Sequence, residues 1–451
     1  MHYKYGNTMT KPKHFPIYIL TVVLSLNLFI GYSIFSESRA ESKNDQVDSV
    51  KVFTDAVKLL RDNYVDKDEV KYKKLVYAAI RGMVEELDKH SRFHSPVENK
   101  EVKEDSAGKF AGIGVTMNFV DDKLTVKRII PDGPASRSEL QPRDVLIAVD
   151  GISLKGKDME QSRFLIKGEK GSEIVLTIWR QSEEKEIQIP IIRDIVTIPS
   201  ITRVRKLPGT NIGYMYISQF THDTDEDFET VIKKFSDEKV NGLIIDLRGN
   251  PGGVLDTAIN MCSLFVPEDE LVLYTQGRDN SNRQEYFARG GNKYNDLPIV
   301  ILINEGSASA SEILSACLRD YKKAVLIGTK TYGKGSVQTI IDLRDGSALR
   351  FTIAKYYTKS DQTIHNVGIE PDVILELSDE EIKDLNTVLR DLFPNSDELD
   401  AFDKSDKQLD AAIAVFSSYF KEQPSKQSLV DFFTKNRTRI VRKHSRKLEK
   451  K

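Results

Sequence analysis

Cysteine is nearly absent from this chain. Two occur in 451 residues, Cys262 and Cys317, each inside a segment that reads as an apolar helix, so no disulfide framework organises the fold. Buried free thiols are the plain reading of both. An excess of charge of either sign is also missing, with 66 Lys and Arg against 68 Asp and Glu and a net charge of −2. That balance excludes a global bias toward polyanions, and no nucleic-acid partner is expected. The glycine-rich turn Gly249-Asn250-Pro251-Gly252-Gly253 matches neither G-x-x-x-x-G-K-[ST] nor G-x-G-x-x-G, which argues against a phosphate cradle. Histidine is sparse: His2, His14, His90, His94, His222, His365 and His444. Of these, His90 and His94 have the spacing of a shared metal on a helix, but no third ligand lies nearby and Ser95-Pro96 ends the segment, so a structural or capping role is expected and no metal.

A chain of this length has room for two or three domains at about 150 residues each. Lys4, Lys11 and Lys13 precede an uncharged run from Phe15 to Phe35, the pattern of an export signal. The run approaches the roughly 20 residues that span a bilayer, so a retained inner-membrane anchor is expected, with the remainder in the periplasm. Cleavage after Ser38-Arg39-Ala40 is the alternative.

Between residues 48 and 103 the pattern is helical, with Val50, Phe53, Ala56, Val57 and Leu60 on one face and Leu75, Ala78, Ala79, Met83 and Leu87 on another. From about Gly108 to Asp194 short β-type runs take over, such as KLTVKRII and EIVLTIWR, with one helical segment near Glu160 to Ile166. After Ile195 strands and helices alternate. GLIIDLRG reads as a buried strand because its apolar residues are continuous, and it runs into the 249–253 turn and a helix over 254–265. PIVILIN, GSASASEILSACLRDY and AVLIGT repeat that order. The expected fold class is α/β: a mixed, mainly parallel sheet with helices on its faces, an inserted β domain, and helical N- and C-terminal segments. Ligands in such sheets sit beyond the carboxyl ends of the strands, where both glycine-rich turns lie. SVQTIIDLRDGSALRFTIAKYYT reads as a hairpin turning at Asp345-Gly346. The tail from Arg437 to Lys451 carries eight Lys or Arg and reads as a solvated terminus.

The second glycine-rich turn holds Ser309 among Gly306, Ala308 and Ala310. Ser309 and Glu312 match the S-x-x-E capping box, which alone would explain an arbitrary serine. Small neighbours are also what a site approached by a peptide backbone requires. Twenty-five residues on, Lys334 sits between Gly333 and Gly335, and an extended chain puts Lys334, Ser336 and Gln338 on one face. A hydroxyl and an amine brought together make a nucleophile with its own base. For that amine to act near neutral pH, burial must lower its pKa from about 10.4 to about 8, on the order of 3 kcal/mol. Gln338 would then orient it, and amides of the 249–253 turn suit a developing oxyanion. A Ser-His-Asp arrangement using His222 or His365 stays open, although neither sits in a motif.

Gly112-Ile113-Gly114-Val115 entering a strand, with DGPASRSELQPRDVLIAVDGISL downstream, resembles a PDZ domain. Such a loop turns N–H groups toward a peptide's terminal carboxylate while the peptide adds as a strand. Arg143 stands where that family usually has glycine. With GMVEELDKHS, GYMYISQF, DLRGNPGGVLDTA, NEGSASASEIL, GTKTYGKGSVQT and GIEPDV in order over roughly residues 50–375, the chain resembles the carboxyl-terminal processing proteases, the tail-specific serine peptidases of family S41. The resemblance implies Ser309 as nucleophile, Lys334 as general base and Gln338 as the residue that positions the lysine. It implies an oxyanion hole from Ala310 with Gly252 or Gly253, and capture of a substrate's C-terminus by Gly112, Ile113, Gly114 and Val115. Lys167 stands where relatives often carry arginine. The expected function is an exported endopeptidase that cleaves near the carboxyl terminus of cell-envelope proteins, with no cofactor. A non-catalytic PDZ adaptor and a Ser-His-Asp hydrolase are the alternatives. An adaptor or regulator protein and a homodimer are further partners that fit. The expected divisions are 1–40 signal or anchor, 41–106 helical, 107–194 PDZ, 195–376 protease core and 377–451 helical with the basic tail.

Overall fold

Every residue of Gly242–Asp246, Ile299–Ile303 and Ala324–Gly328 is buried, and a continuous apolar run is what a strand covered on both faces needs. The computed structural model describes residues 47–278, 283–391, 394, 398, 399, 403, 405–422 and 427–448. The three strands join Ile201–Lys206, Ile212–Ile217 and Val373–Ile374 in a six-stranded sheet whose neighbours are parallel except for Ile201–Lys206. Side chains alternate between its faces. Met215, Leu243, Ile245, Ile301 and Leu326 share one core with the helices Thr224–Asp237, Leu255–Ser263 and Ala310–Asp320. Tyr214, Ile244, Val300 and Val325 share another with Leu409, Phe416 and Phe432 of the helices Lys407–Glu422 and Leu429–Leu448. The C-terminal helices are therefore a layer of the protease core, packed so closely that a Cβ on Gly242 would lie 2.7 Å from the Phe416 ring.

A second sheet brings together Arg92–His94, Ala348–Thr358, Leu271–Gly277, Arg283–Phe287 and Ser336–Asp342, and it is antiparallel throughout. This corrects the expectation of a mainly parallel architecture. Parallel pairing is confined to one sheet, and over the described strands antiparallel pairs outnumber parallel ones. The cause is connectivity: a hairpin such as the one at Gly346, φ +85°, returns the chain beside itself, whereas parallel neighbours need a helical crossover. A third, six-stranded antiparallel sheet forms the inserted β domain, with the helix Met159–Ile166 capped by Asp158 and Gln161. Its buried Arg180 bonds Asp144 at 2.9 and 2.8 Å. Beside that pair Arg143 adopts φ +77°, the left-handed conformation that glycine takes without steric penalty.

Contacts divide the chain into two compact units, one ending at Glu86 and one running from Leu87 to Lys451. Helices 47–63 and Tyr72–Glu85 lie in the first. The expected helical pattern does not continue unbroken to 103: Arg92–His94 is a strand, and the helix Pro96–Ala107 starts afresh behind a Ser95–Glu98 capping box. Pro96 opens that helix because its missing N–H is not needed at the first position. His90 and His94 consequently share no helical turn. The expected export segment lies outside the described residues, among which no helix is long and apolar enough to cross a membrane.

Candidate active site

The helix Ala310–Asp320 begins directly after Ser309, whose backbone sits at φ +56°, ψ −113°. A non-glycine residue there carries strain of about 1–3 kcal/mol and keeps it only where its surroundings fix the chain. The two glycine-rich turns do so by interlocking. The Asn250 carbonyl accepts the Ala308 N–H and the Ser311 hydroxyl, both at 3.0 Å. Asn304 Oδ1 accepts the N–H groups of Gly249 and Gly306 at 2.8 and 3.0 Å. The Ser307 hydroxyl donates to the Leu247 carbonyl at 2.8 Å. A Cβ on Gly306 would lie 2.7 Å from Gly249 Cα, so loop-against-loop packing explains that small residue without a substrate.

The 249–253 turn also distinguishes its two candidate glycines. Gly252 N–H donates to Asn250 Oδ1 at 2.8 Å and is consumed inside the turn. The N–H groups of Gly253 and Ala310 meet no acceptor among the described residues. Gly253, at φ +149°, is pressed on Phe220, where a Cβ would fall 1.9 Å from the carbonyl oxygen. Behind the turn, the fully buried Arg248 bridges Asp246 and Asp406, each at 2.6 Å.

Lys334 lies in the loop before Ser336–Asp342 and is largely buried. Burial pushes its pKa below the ordinary lysine value, the positive charge of Arg350 adds to that, and Glu312 opposes both. The Tyr356 hydroxyl donates to the Lys334 carbonyl. Gln338, expected to orient the lysine, donates its amide N–H to the His90 carbonyl at 2.7 Å. His365 packs on Gly335, and its Nδ1 is buried with no hydrogen-bond partner among the described residues.

Gly112, Ile113, Gly114 and Val115 come together along a cleft of about 290 Å³ that Phe110, Met117, Met159 and Ile166 also line. Gly114 takes φ +78°, and a Cβ there would press on Gly133 Cα at 3.2 Å. Lys167 closes one end, its ammonium 3.5 Å from Glu104 and 3.8 Å from Glu101.

Comparison with known proteins joins these two sites. Residues 211–375 match Peptidase family S41 and residues 125–180 match a PDZ domain. A CtpA-like serine protease of Staphylococcus haemolyticus is 36% identical over 357 residues, spanning 79% of this chain and 70% of the relative. The chain belongs to peptidase family S41, the carboxyl-terminal processing proteases. The carboxy-terminal-processing protease of Bartonella bacilliformis is 35% identical over 77% of this chain and 81% of its own. A solved photosystem II D1 C-terminal processing protease is 28% identical, covering 76% of this chain and 97% of its own, with a TM-score of 0.43.

In this S41 protease, sequence reasoning missed two residues at the site. Tyr356, on the strand Ala348–Thr358, is buried beside the Ser309 hydroxyl. Glu312, absorbed into a capping motif, is fully buried and accepts N–H donations from both Ser309 and Lys334. The Glu312 N–H also bonds the Ser309 carbonyl at 2.9 Å. The S-x-x-E spacing was the available signal for Glu312. Tyr356 had none beyond its place in an apolar strand.

Proposed function

We propose that this S41 protease cleaves peptide bonds with a Ser309–Lys334 dyad, positioned by Gln338, on proteins whose C-termini its PDZ cleft holds. The carrying observation is that the N–H groups of Ser309 and Lys334 donate to one oxygen, Glu312 Oε2, at 2.8 and 2.9 Å. The backbone nitrogens of nucleophile and base are therefore no more than 5.7 Å apart. Neutral Lys334 takes the Ser309 proton as Oγ attacks the substrate carbonyl. The resulting oxyanion is stabilised by the free N–H groups of Gly253 and Ala310. Protonated Lys334 then gives its proton to the departing amine as the C–N bond breaks, leaving an acyl ester on Ser309. Water, deprotonated by Lys334, hydrolyses that ester and restores the serine.

The reading extends to an exported, membrane-anchored enzyme acting on cell-envelope proteins, supported by the lysine-flanked uncharged run of residues 15–35. It takes 107–194 as the PDZ domain and 195–376 as the protease core. Cleavage of a peptide with an apolar C-terminal tail by wild type, Ser309→Ala, Lys334→Ala and His365→Ala tests it. Wild type and His365→Ala should cleave, and the first two variants should not. Activity retained by Lys334→Ala and lost in His365→Ala would refute the dyad.

A further inference from the structure

Glu312 is fully buried, yet all four of its neighbours are donors. Oε1 accepts the Thr331 hydroxyl at 2.6 Å and the Gly333 N–H at 2.8 Å. Oε2 accepts the N–H groups of Ser309 and Lys334. Thr331 cannot reverse its role cheaply, because its oxygen already accepts the Ile369 N–H at 2.7 Å. A carboxylate offers about four acceptor sites, and here four are taken and no acceptor faces it, so the pattern fits only the ionised form. Burial raises the carboxyl pKa and these donors offset only part of that rise, so it is the bonding geometry that carries the assignment of the ionised form.

From this geometry we infer that Glu312 is a positioning residue, whose ionised carboxylate holds the strained backbone of Ser309 and the loop of Lys334 as one rigid frame and sets the charge balance of the lysine. The inference rests on the dyad reading above. The groups facing Lys334 are Glu312 from the helix Ala310–Asp320, Arg350 and Tyr356 from the strand Ala348–Thr358, and His90 from the loop before Arg92–His94. Arg350 finds no carboxylate partner among the described residues, and its Nε is buried and unbonded. The lysine therefore lies between one anion, which favours its proton, and one cation, which disfavours it. A carboxylate that merely capped the helix would fix Ser309 alone. This one reaches 21 and 22 residues along the chain to the loop of the base.

The test is steady-state cleavage of a tailed peptide by the full chain across pH, with Glu312→Gln and Glu312→Asp beside Lys334→Ala. Glu312→Gln keeps the shape but turns an N–H₂ toward two donors whichever way the amide faces, Ser309 and Lys334 N–H or Thr331 hydroxyl and Gly333 N–H, and removes the charge. Its kcat should fall about 100-fold, the scale of a 1 Å misplacement, with KM within about twofold of wild type. The midpoint of its acid limb should drop by at least about half a pH unit, because a lysine relieved of a neighbouring anion loses its proton more readily. Glu312→Asp keeps the charge and shortens the reach, so kcat should fall at least about tenfold with the midpoint unmoved. Wild-type kcat and midpoint in Glu312→Gln overturn the proposal, as does a lowered kcat with an unmoved midpoint, which is a structural role. If Glu312→Gln does not fold, wild-type kcat in Glu312→Asp overturns it. Activity in Lys334→Ala would instead mark failure of the dyad itself.

Discussion

Replacing Arg248 by methionine should destabilise the protein more than any other single change at the site. Its guanidinium is wholly buried and donates from Nε and Nη2 to Asp246, from Nη1 and Nη2 to Asp406, and from Nη1 to Gln408. Methionine fills similar volume but leaves two carboxylates in the core without a cation. Asp246 retains the Tyr214 hydroxyl at 2.7 Å and the N–H of residue 248 at 3.0 Å, and Asp406 retains the N–H groups of Gln408 and Leu409. Those bonds soften the loss without neutralising either charge, so a penalty of about 3–5 kcal/mol is expected, a large part of the roughly 5–15 kcal/mol that holds a domain folded. Urea denaturation of the full chain would measure it, with Asp406→Asn and the double variant completing a cycle. The double variant should recover at least about 1 kcal/mol of the single-variant loss, since one stranded charge is gone. A penalty under about 1 kcal/mol for Arg248→Met would refute the claim that an ion triad anchors the turn.

Other outcomes follow from the same geometry. Since only the neutral amine is a base and burial lowers its pKa, kcat/KM should rise with pH through the depressed Lys334 value and then level, and Arg350→Gln should move that rise to higher pH; a flat profile between about pH 6 and 9 would count against the lysine. Gly253→Ala must displace the Phe220 carbonyl or the turn, so kcat should fall about 10²–10³-fold, as when an oxyanion donor is lost. Arg143→Gly should raise stability by about 1 kcal/mol by relieving a left-handed arginine, and an unchanged or lower urea denaturation midpoint would refute that strain.

Much of the core was legible because its signals are local. Continuous apolar runs marked the buried strands, and the serine and lysine each stood in a glycine-flanked turn at the end of one. What the sequence concealed is long-range. Arg92–His94 is three residues long and pairs with residues 348–350, so nothing near it says strand. Leu271–Gly277 pairs antiparallel with Arg283–Phe287 and also with residues 354–358, and that second partner lies more than seventy residues further along the chain. The helical character after residue 377 was legible, but not the sheet face those helices cover. Glu312 was hidden differently: a sufficient local explanation, the helix cap, stood in front of its bonds to Gly333 and Lys334. Gly252 and Gly253 are equivalent in sequence, and only the Asn250 side chain separates them.

The pairing of Arg248 with Asp406 spans 158 residues of chain. A polypeptide made from its N-terminus thus completes the serine, the lysine and both glycine-rich turns well before it supplies the second carboxylate and the helices that cover the far side of the sheet. Through that interval the guanidinium has one of its three side-chain partners, and the C-terminal helices that cover the Tyr214, Ile244 and Val300 face are not yet made. Synthesis order therefore acts as a delay. The glycine-rich turns are encoded early, but the ion triad and the covered sheet face behind them close only when the last helices arrive.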